Sequence, residues 1–453
     1  MVAAPRPRAY RQRTIGFLGT GLNAGMQTQL WLGAMSAARK HGVRLVFYPA
    51  NPVRTTQRFY VLSNVLYDLV DAEHIDGLIV WTGGLISYVG MADRERFFER
   101  YRSFPLVTVG GRLKDRPDLS VDNYHGMRTA IDHLLEVHGC RRIGIIRGPV
   151  GHPEADQRHQ ACVDALRAHG LDPDPALVAQ GAFEVGVGGE MATAAINRWL
   201  RDAPAGLDAV VAATDYMALA ALRAIEANGS RVPDDIAVVG FDDVDDSRAS
   251  LPPLTTVRQP FYELGSQAAE TLITLLNGES LPEQLSVPSQ LVVRESCGCL
   301  SRSLSLAMAP PPDQAEAAPA TTRDTPHDRL RGELRAASQA LAISPEQLEN
   351  LATLLLDNLS NGTPHQFLAA LNQHLMEATG SRFDVMAWQD VISVLRRHAL
   401  SVANGELGRM GESVFNQARV LVAAASQRAL IKQQLEAERQ AGRLRDTSEA
   451  LTT

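Results

Sequence analysis

The sequence predicts an α/β fold of two lobes, each a mostly parallel sheet with helices on both faces, followed by an all-α region that ends in a coiled-coil-like helix. Three observations carry this reading. From Thr14 to about Cys299, short apolar segments alternate with amphipathic stretches of helical period, which is the pattern of βαβ units. That run of about 290 residues exceeds one ordinary α/β lobe, so two lobes with a cleft between them is the economical arrangement. Beyond it the strand pattern stops and leucines recur at helical spacing.

Residues 1–13 form a short basic leader, with Pro5 to Arg13 rich in arginine. A solvated tail is expected there, because an arm touching a minor groove or a membrane has no second feature behind it. The segments TIGFLG, RLVFYPA, DGLIVW, PLVTVGG, RRIGIIRG, DAVVAAT and IAVVGFDD, beginning at Thr14, Arg44, Asp76, Pro105, Arg141, Asp208 and Ile236, read as strands. Ile236 to Phe241 has β-branched residues at both faces, which suits a strand covered on both sides. Asp242 then falls at the strand's carboxyl end, where open α/β sheets bind ligands. The prolines from Pro252 to Pro260 read as a crossover between lobes.

Residues 14–300 are expected to be the two-lobed domain, and 301–328, rich in Pro, Ala, Ser and Thr, a solvated linker. Residues 329–405 read as a helical bundle. Ser344-Pro345-Glu346-Gln347 and Thr363-Pro364-His365-Gln366 each offer a hydroxyl cap, proline at the first helical position and Gln at the third, the pattern of a capping box. Leu348, Leu351, Leu354, Leu355 and Leu359 stripe the first helix up to Gly362. Phe367, Leu368, Leu371 and Leu375 stripe the second up to Gly380. Phe383 to Leu400 makes a third, closed by Asn404-Gly405. Residues 406–453 read as one long helix in which Leu430, Ala437, Leu444 and Leu451 recur every seven residues, either a dimer-forming signalling helix or a single helix folded back on the bundle. Its last segment, RLRDTSEALTT, is similar to the lead-in to an output domain such as a GAF, diguanylate-cyclase or kinase module.

The net charge of −7 gives no whole-protein footprint for nucleic acid. No apolar run reaches the roughly 18 residues of a membrane span, and the N-terminus lacks a signal peptide's apolar core, so a cytoplasmic location is expected. The four cysteines are too few and too irregular for a disulfide framework. Cys297-Gly298-Cys299 is the one close pair; with no second Cys/His pair nearby in sequence, it reads as a reduced pair at a domain end rather than a metal or redox site. His133, His138, His152, His159 and His169 are scattered without metal spacing. No G-x-S-x-G elbow or Walker loop is present, so neither catalysis nor a cofactor is expected.

Val121 to Gly148, VDNYHGMRTAIDHLLEVHGCRRIGIIRG, and Gly229 to Pro260, with VPDDIAVVGFDD and PPLTTVRQP, resemble the ligand-sensing core of the lactose and purine repressor family. That family shares its fold with type 1 periplasmic binding proteins, and the likeness covers roughly Thr14 to Cys299. It implies a cleft that takes a small polar molecule and closes on it. Arg158 falls on the family's cleft arginine, although Ala161-Cys162 replaces the usual Gly-aromatic pair. Asp215 falls on the acid of the N-D-x-x-A motif, with Thr214 in place of the asparagine, and Asp242 on the acid of the GFDD strand end. Asn23 and Trp81 sit where the family's cleft lip lies in the other lobe, and Phe183 is a further aromatic candidate. Each has a structural alternative: a helix N-cap for Asp215, a surface ion pair for Arg158, a turn brace with Asp243 for Asp242, core or strand-end packing for Trp81 and Phe183. Together Arg158 and Asp242 could donate to and accept from vicinal hydroxyls, which suits sugar-like or nucleoside-like ligands.

About thirteen residues precede Thr14, too few for the DNA-reading helix of that family, so direct DNA binding is not expected. The reading that results is a dimeric cytoplasmic sensor that passes cleft closure to its C-terminal helices. A transcriptional regulator acting without its own helix-turn-helix and the sensory part of a truncated signalling enzyme are the rivals.

Overall fold

A computed structural model describes residues 12–450 except 21–24, 51, 54–63, 72, 87–88, 90, 114, 203–205, 280–281, 283, 301–325, 339–340, 342, 362, 364, 379–384 and 403–405. The basic leader up to residue 11, Asn23 and most of the proline-rich linker therefore lie outside the described residues. The chain divides into two units, Met1–Cys299 and Leu300–Thr453.

The first unit begins β1 (Thr14–Thr20), α1 (Gly25–Lys40), β2 (Arg44–Ala50), β3 (Gly77–Trp81), α2 (Thr82–Leu85), α3 (Met91–Glu99), β4 (Leu106–Val109) and β5 (Asp118–Val121). It continues α4 (Asn123–Glu136), β6 (Ile143–Arg147), α5 (Pro153–Ala168), β7 (Val178–Gln180), α6 (Val185–Asp202), β8 (Ala209–Ala212), α7 (Asp215–Ala227) and β9 (Ala237–Asp242). It closes with α8 (Asp245–Ala249), β10 (Thr255–Arg258), α9 (Phe261–Leu276), β11 (Gln284–Val287) and β12 (Gln290–Val292). These strands make two six-stranded sheets, ordered β11-β5-β4-β3-β1-β2 and β12-β10-β9-β8-β6-β7. All described pairings are parallel except β10 with β12. Both sheets are buried under helices, which is why their strands read as near-continuous apolar runs; all six residues of β9 are buried.

Among the described residues, three segments pass between the lobes. Since α4 packs on α5, β10 and β12 while α9 packs on α1, β3, β4 and β5, the crossings are 121–123, 258–261 and 287–290. Two of them are tied together: Asp122 N donates to Val287 O at 2.9 Å, and Ser289 Oγ to Asp122 O at 2.7 Å. The expected crossover from Pro252 to Pro260 is shorter than its prolines indicate. The strand β10 stays paired with β9 from Thr255 opposite Val239 to Arg258 opposite Asp242, so only Gln259 and Pro260 cross.

Helices α1 and α9 approach backbone to backbone. A Cβ added to Gly33 would lie 1.9 Å from Tyr262 O, and one on Gly265 1.7 Å from Leu30 O. Neither oxygen is the end of a flexible side chain, so the helices would have to separate. Gly265→Ala is expected to destabilise the first unit by about 1–3 kcal/mol or more through overpacking; urea denaturation reads this as a lower midpoint at unchanged slope.

The second unit comprises α10 (Pro326–Ala337), α11 (Pro345–Asn361), α12 (His365–Ala378), α13 (Trp388–Val402) and the 45-residue α14 (Glu406–Ala450). Its core gathers Leu348, Leu351, Leu355, Phe367, Leu371, Trp388, Ile392 and Phe415. At the start of α11 the capping box closes in both directions: Ser344 N donates to Gln347 Oε1 at 2.9 Å and Gln347 N to Ser344 Oγ at 3.2 Å. The second expected box is built differently. Buried Asn358 of α11 accepts from Phe367 N at 2.9 Å through Oδ1 and donates to Gln366 Oε1 at 3.3 Å through Nδ2, so the preceding helix satisfies this end. Phe383, Gly362, Gly380 and Asn404-Gly405 lie outside the described residues; regular helix in α13 begins at Trp388, after a 3-10 turn at Val385–Ala387. Leu430 is exposed, and the side chains of Ala437, Leu444 and Leu451 are also outside. No described helix is long and apolar enough to cross a membrane.

Candidate ligand-binding cleft

The strand β9 ends in backbone that most residues avoid: φ is 129° at Asp242 and 61° at Asp243. Two consecutive positive values cost on the order of 1–3 kcal/mol each and persist only where the surroundings impose them. The surroundings here are ionic. Asp243 is gripped by Arg258 Nε at 2.6 Å, Arg248 Nη2 at 3.2 Å and Arg294 Nη2. Burial alone would raise its carboxyl, but Arg294, Arg258 and Arg248 hold it well below the usual carboxylate range. With Asp243 anchored to β10, to α8 and to the segment after β12, Asp242 turns its carboxylate toward the cleft side of the sheet.

Arg158 reaches that carboxylate from α5. The guanidinium lies 3.8 Å above the Phe241 ring, donates through Nε to Asn123 Oδ1 at 2.7 Å and through Nη1 to Ala213 O at 2.7 Å. Its Nη1 is 3.6 Å from Asp242 Oδ1 and its Nη2 3.7 Å from Glu154 Oε2. Those two contacts are longer than hydrogen bonds, so a hydroxyl seated among them could accept from the guanidinium and donate to a carboxylate. Only 2% of Arg158 is exposed, which corrects the alternative of a surface ion pair. Gln259 Nε2 also donates to Asp242 Oδ1, bringing one of the three crossings directly onto the acid.

Phe183 belongs to this group. Its ring meets the imidazole of His152 edge-on at 4.8 Å and lies 5.8 Å from the Arg158 guanidinium, giving the cleft an apolar face beside its ion pair. Burial and the Arg158 and Arg94 charges lower His152 to about 4, so it is neutral near pH 7. The opposite lobe supplies Asp118, buried at the start of β5, where it accepts from Thr108 Oγ1 at 2.7 Å and Gly111 N at 3.2 Å. Burial pushes Asp118 up to about 6 against those two hydrogen bonds, with the Glu154 charge adding to the rise. A Cβ on Gly110 would lie 3.4 Å from Glu154 Oε1, so Glu154 reaches across from the second lobe to the turn after β4.

Two expected residues stand apart from this group. Asp215 is fully buried, and its oxygens accept from Val244 N at 2.9 Å and from the Thr256 hydroxyl, bracing the loop after β9. Nor does it cap its helix: Thr214 does, accepting from Met217 N at 3.3 Å, and Asp215 is the first helical residue. Trp81 folds its indole over Gly83 and Gly84, where an added Cβ would come within 3.2 Å and 2.6 Å of the ring, and packs on the core of its lobe. Asn23 lies outside the described residues. Sequence reasoning missed Asn123, Glu154, His152 and Gln259. Asn123 and Gln259 stood within the segments VDN and RQP that already carried the family likeness; Glu154 and His152 had no signal beyond proximity to Pro153.

Burial pushes the Asp242 carboxyl up to about 7, with the Arg158 charge opposing and Asp215 adding. The sign follows from linkage: a carboxyl raised in the fold binds its proton more tightly there than in the unfolded chain, so its contribution to stability is greatest in acid and is lost as pH rises from about 4 toward 7. Asp215, raised to about 6 mainly by burial, acts in the same direction. Between pH 5 and 8 the melting temperature of the wild type is therefore expected to fall relative to that of Asp242→Asn, the comparison cancelling groups such as His152 that titrate with the opposite sign; parallel wild-type and variant curves would contradict the assignment.

A family profile described as a periplasmic binding protein-like domain matches residues 131–297. The HTH-type transcriptional regulator CelR of Thermobifida fusca is 40% identical over 193 residues, 41% of this chain. The chain spans 55% of that regulator's own length. Among solved structures, a transcriptional regulator CelR–cellobiose complex is 30% identical with a TM-score of 0.52, covering 63% of this chain and 85% of that one. A LacI family transcriptional regulator from Mycobacterium smegmatis is 27% identical with a TM-score of 0.52, covering 62% of this chain and 98% of that one. These relatives are regulators rather than enzymes. Through the two-lobed ligand-binding domain of its first unit, the chain belongs to the LacI family.

Proposed function

We propose that the first unit senses a small polar metabolite, sugar-like or nucleoside-like, held between its lobes by Arg158 and Asp242. The observation that carries this reading is the Nη1–Oδ1 separation of 3.6 Å in a buried pair flanked by the Phe183 ring. It offers a donor, an acceptor and an apolar face in one place, the combination a sugar ring presents in reverse. The cellobiose named in the CelR complex supports a sugar over a nucleoside. Ligand binding shifts the module only through different affinities for open and closed lobes, and the three crossings at 121–123, 258–261 and 287–290 are where such a motion would turn. We propose further that closure is passed along the chain to a dimer formed through α14, with output in the regulation of transcription, as the regulator relatives favour.

The test is a thermal-shift panel of mono- and disaccharides, nucleosides and purines on the full chain, repeated with Asp242→Asn and Arg158→Lys. A stabilising ligand is expected for the wild type and a shift at least several-fold smaller in both variants. An equal shift in all three proteins would refute the pair as the gripping residues.

A further inference from the structure

We propose that His133, His138, Cys297 and Cys299 hold one tetrahedral divalent cation of the zinc class. No second Cys/His pair flanks Cys297-Gly298-Cys299 in sequence, but the fold supplies one. His133 lies on α4, His138 two residues beyond its end, and the cysteines in the turn after β12.

The Nε2 of His133 is 3.5 Å from the Sγ of Cys297 and 3.5 Å from that of Cys299, and the Nε2 of His138 is 3.3 Å from Cys299 Sγ. All four ligand atoms fall within 4.8 Å of one another. Zinc bonds of about 2.3 Å to sulfur and 2.0–2.1 Å to nitrogen, at the tetrahedral angle, put S and N about 3.5 Å apart. The observed separations are those of the edges of such a tetrahedron. Hydrogen bonding alone explains them less well, because one Nε2 lone pair can accept one S–H and His133 faces two sulfurs.

The backbone is shaped for this convergence. Gly298 has φ 100°, in the region that favours glycine, and Gly298 N donates to Glu295 O at 2.9 Å. A Cβ there would lie 3.4 Å from the His138 ring, so the imidazole packs directly on the turn that brings both sulfurs to one side. Thr255 Oγ1 donates to Cys297 Sγ at 3.2 Å, the kind of outer contact that orients a thiolate ligand.

Two thiolates and two imidazoles in a tetrahedron select zinc among the common divalent ions. Four protein ligands leave no open position, so the role is structural rather than catalytic. Binding displaces one proton from each thiol to solvent and uses the Nε2 lone pair of each imidazole. The ion would pin residues 297–299, the end of the first unit, to the end of α4.

The test uses the full chain purified under reducing conditions without added metal. Elemental analysis is expected to find one equivalent of zinc per chain, removable by chelator with a fall in melting temperature that zinc reverses. Cobalt(II) added to the apo protein is expected to give the visible bands of a tetrahedral thiolate complex. Cys299→Ser and His138→Gln, both at the outer part of the cluster, are expected to lose the stoichiometric ion while keeping the wild-type far-UV circular dichroism. Absence of metal with both thiols reduced, a Cys297–Cys299 disulfide in the fresh protein, or octahedral cobalt spectra in the wild type would each overturn the proposal. If a variant does not fold, the wild-type zinc content and cobalt spectrum still decide it.

Discussion

Arg158→Ala is expected to lower the stability of the first unit by about 3–5 kcal/mol, the cost of removing one partner from a buried ion pair, and to abolish ligand binding. The guanidinium is wedged between the Phe241 ring, Asn123 Oδ1 and the Ala213 carbonyl. Alanine leaves a cavity there, orphans the Asn123 and Ala213 oxygens, and strands Asp242 and Glu154 without their shared cation. Arg158→Lys restores the charge but cannot fork between Asn123 and Ala213 while reaching Asp242, so an intermediate loss is expected. Double-mutant cycles with Asp242→Asn separate these effects: neutralising the acid removes the unpaired charge, and the second substitution should cost less in the Arg158→Ala background than in the wild type. Chemical denaturation of the four proteins measures this, and full additivity would show that the two groups do not interact.

Asp243→Asn should be nearly as damaging, by about 3–5 kcal/mol for the same reason with the signs reversed. Three guanidinium groups converge on this carboxylate, whose side chain is 1% exposed. Asparagine keeps the tolerance of positive φ that the backbone needs at 61°, so the substitution isolates the charge. Three consequences are expected together: a lower denaturation midpoint, weaker ligand binding because Asp242 is no longer aimed, and altered acid stability. A carboxyl depressed in the fold contributes stability above its unfolded value of 3.8 and loses it as pH falls below that value. Wild type should therefore weaken in strong acid more steeply than Asp243→Asn. Unchanged stability at pH 7 would show that the arginines are held by other contacts.

Asp242 and Asp243 differ in how far the contiguous sequence announces them. Asp242 was legible because a buried apolar strand announces itself by composition and its end by the first acid. Asp243 was legible only as a possible brace, since its three partners come from Arg248, Arg258 and Arg294, which share no periodicity. The same division separates the two capping boxes. Ser344 and Gln347 lie three positions apart in one helix start and close as written; at Thr363 a buried Asn358 from the previous helix intervenes, and no local pattern encodes that contact.

The metal-ligand geometry is the sharpest instance. Scanned along the chain, Cys297 and Cys299 have no histidine neighbour, and the cysteine nearest His138, Cys140, is not one of the four that converge. The pairing of β10 with β9 and β12 lays the segment after β12 against the end of α4, and residues more than 150 positions apart become neighbours at 3.3–3.5 Å.

By itself the sequence determined the alternation of strands and helices, the two lobes, the helical C-terminal third and the acid at the end of β9, because periodicity, composition and a strand end are properties of contiguous residues; Arg158 was named only through the family resemblance. Only the tertiary structure decided that Asp215 is spent on the loop after β9, that Trp81 covers two glycines, that Glu154 and Gln259 join the cleft, and that two histidines meet two cysteines. Those outcomes depend on which elements the sheet order makes adjacent, and hydrogen-bond and ion-pair energies fall off within a few ångströms, so they act only after the fold has made its neighbours.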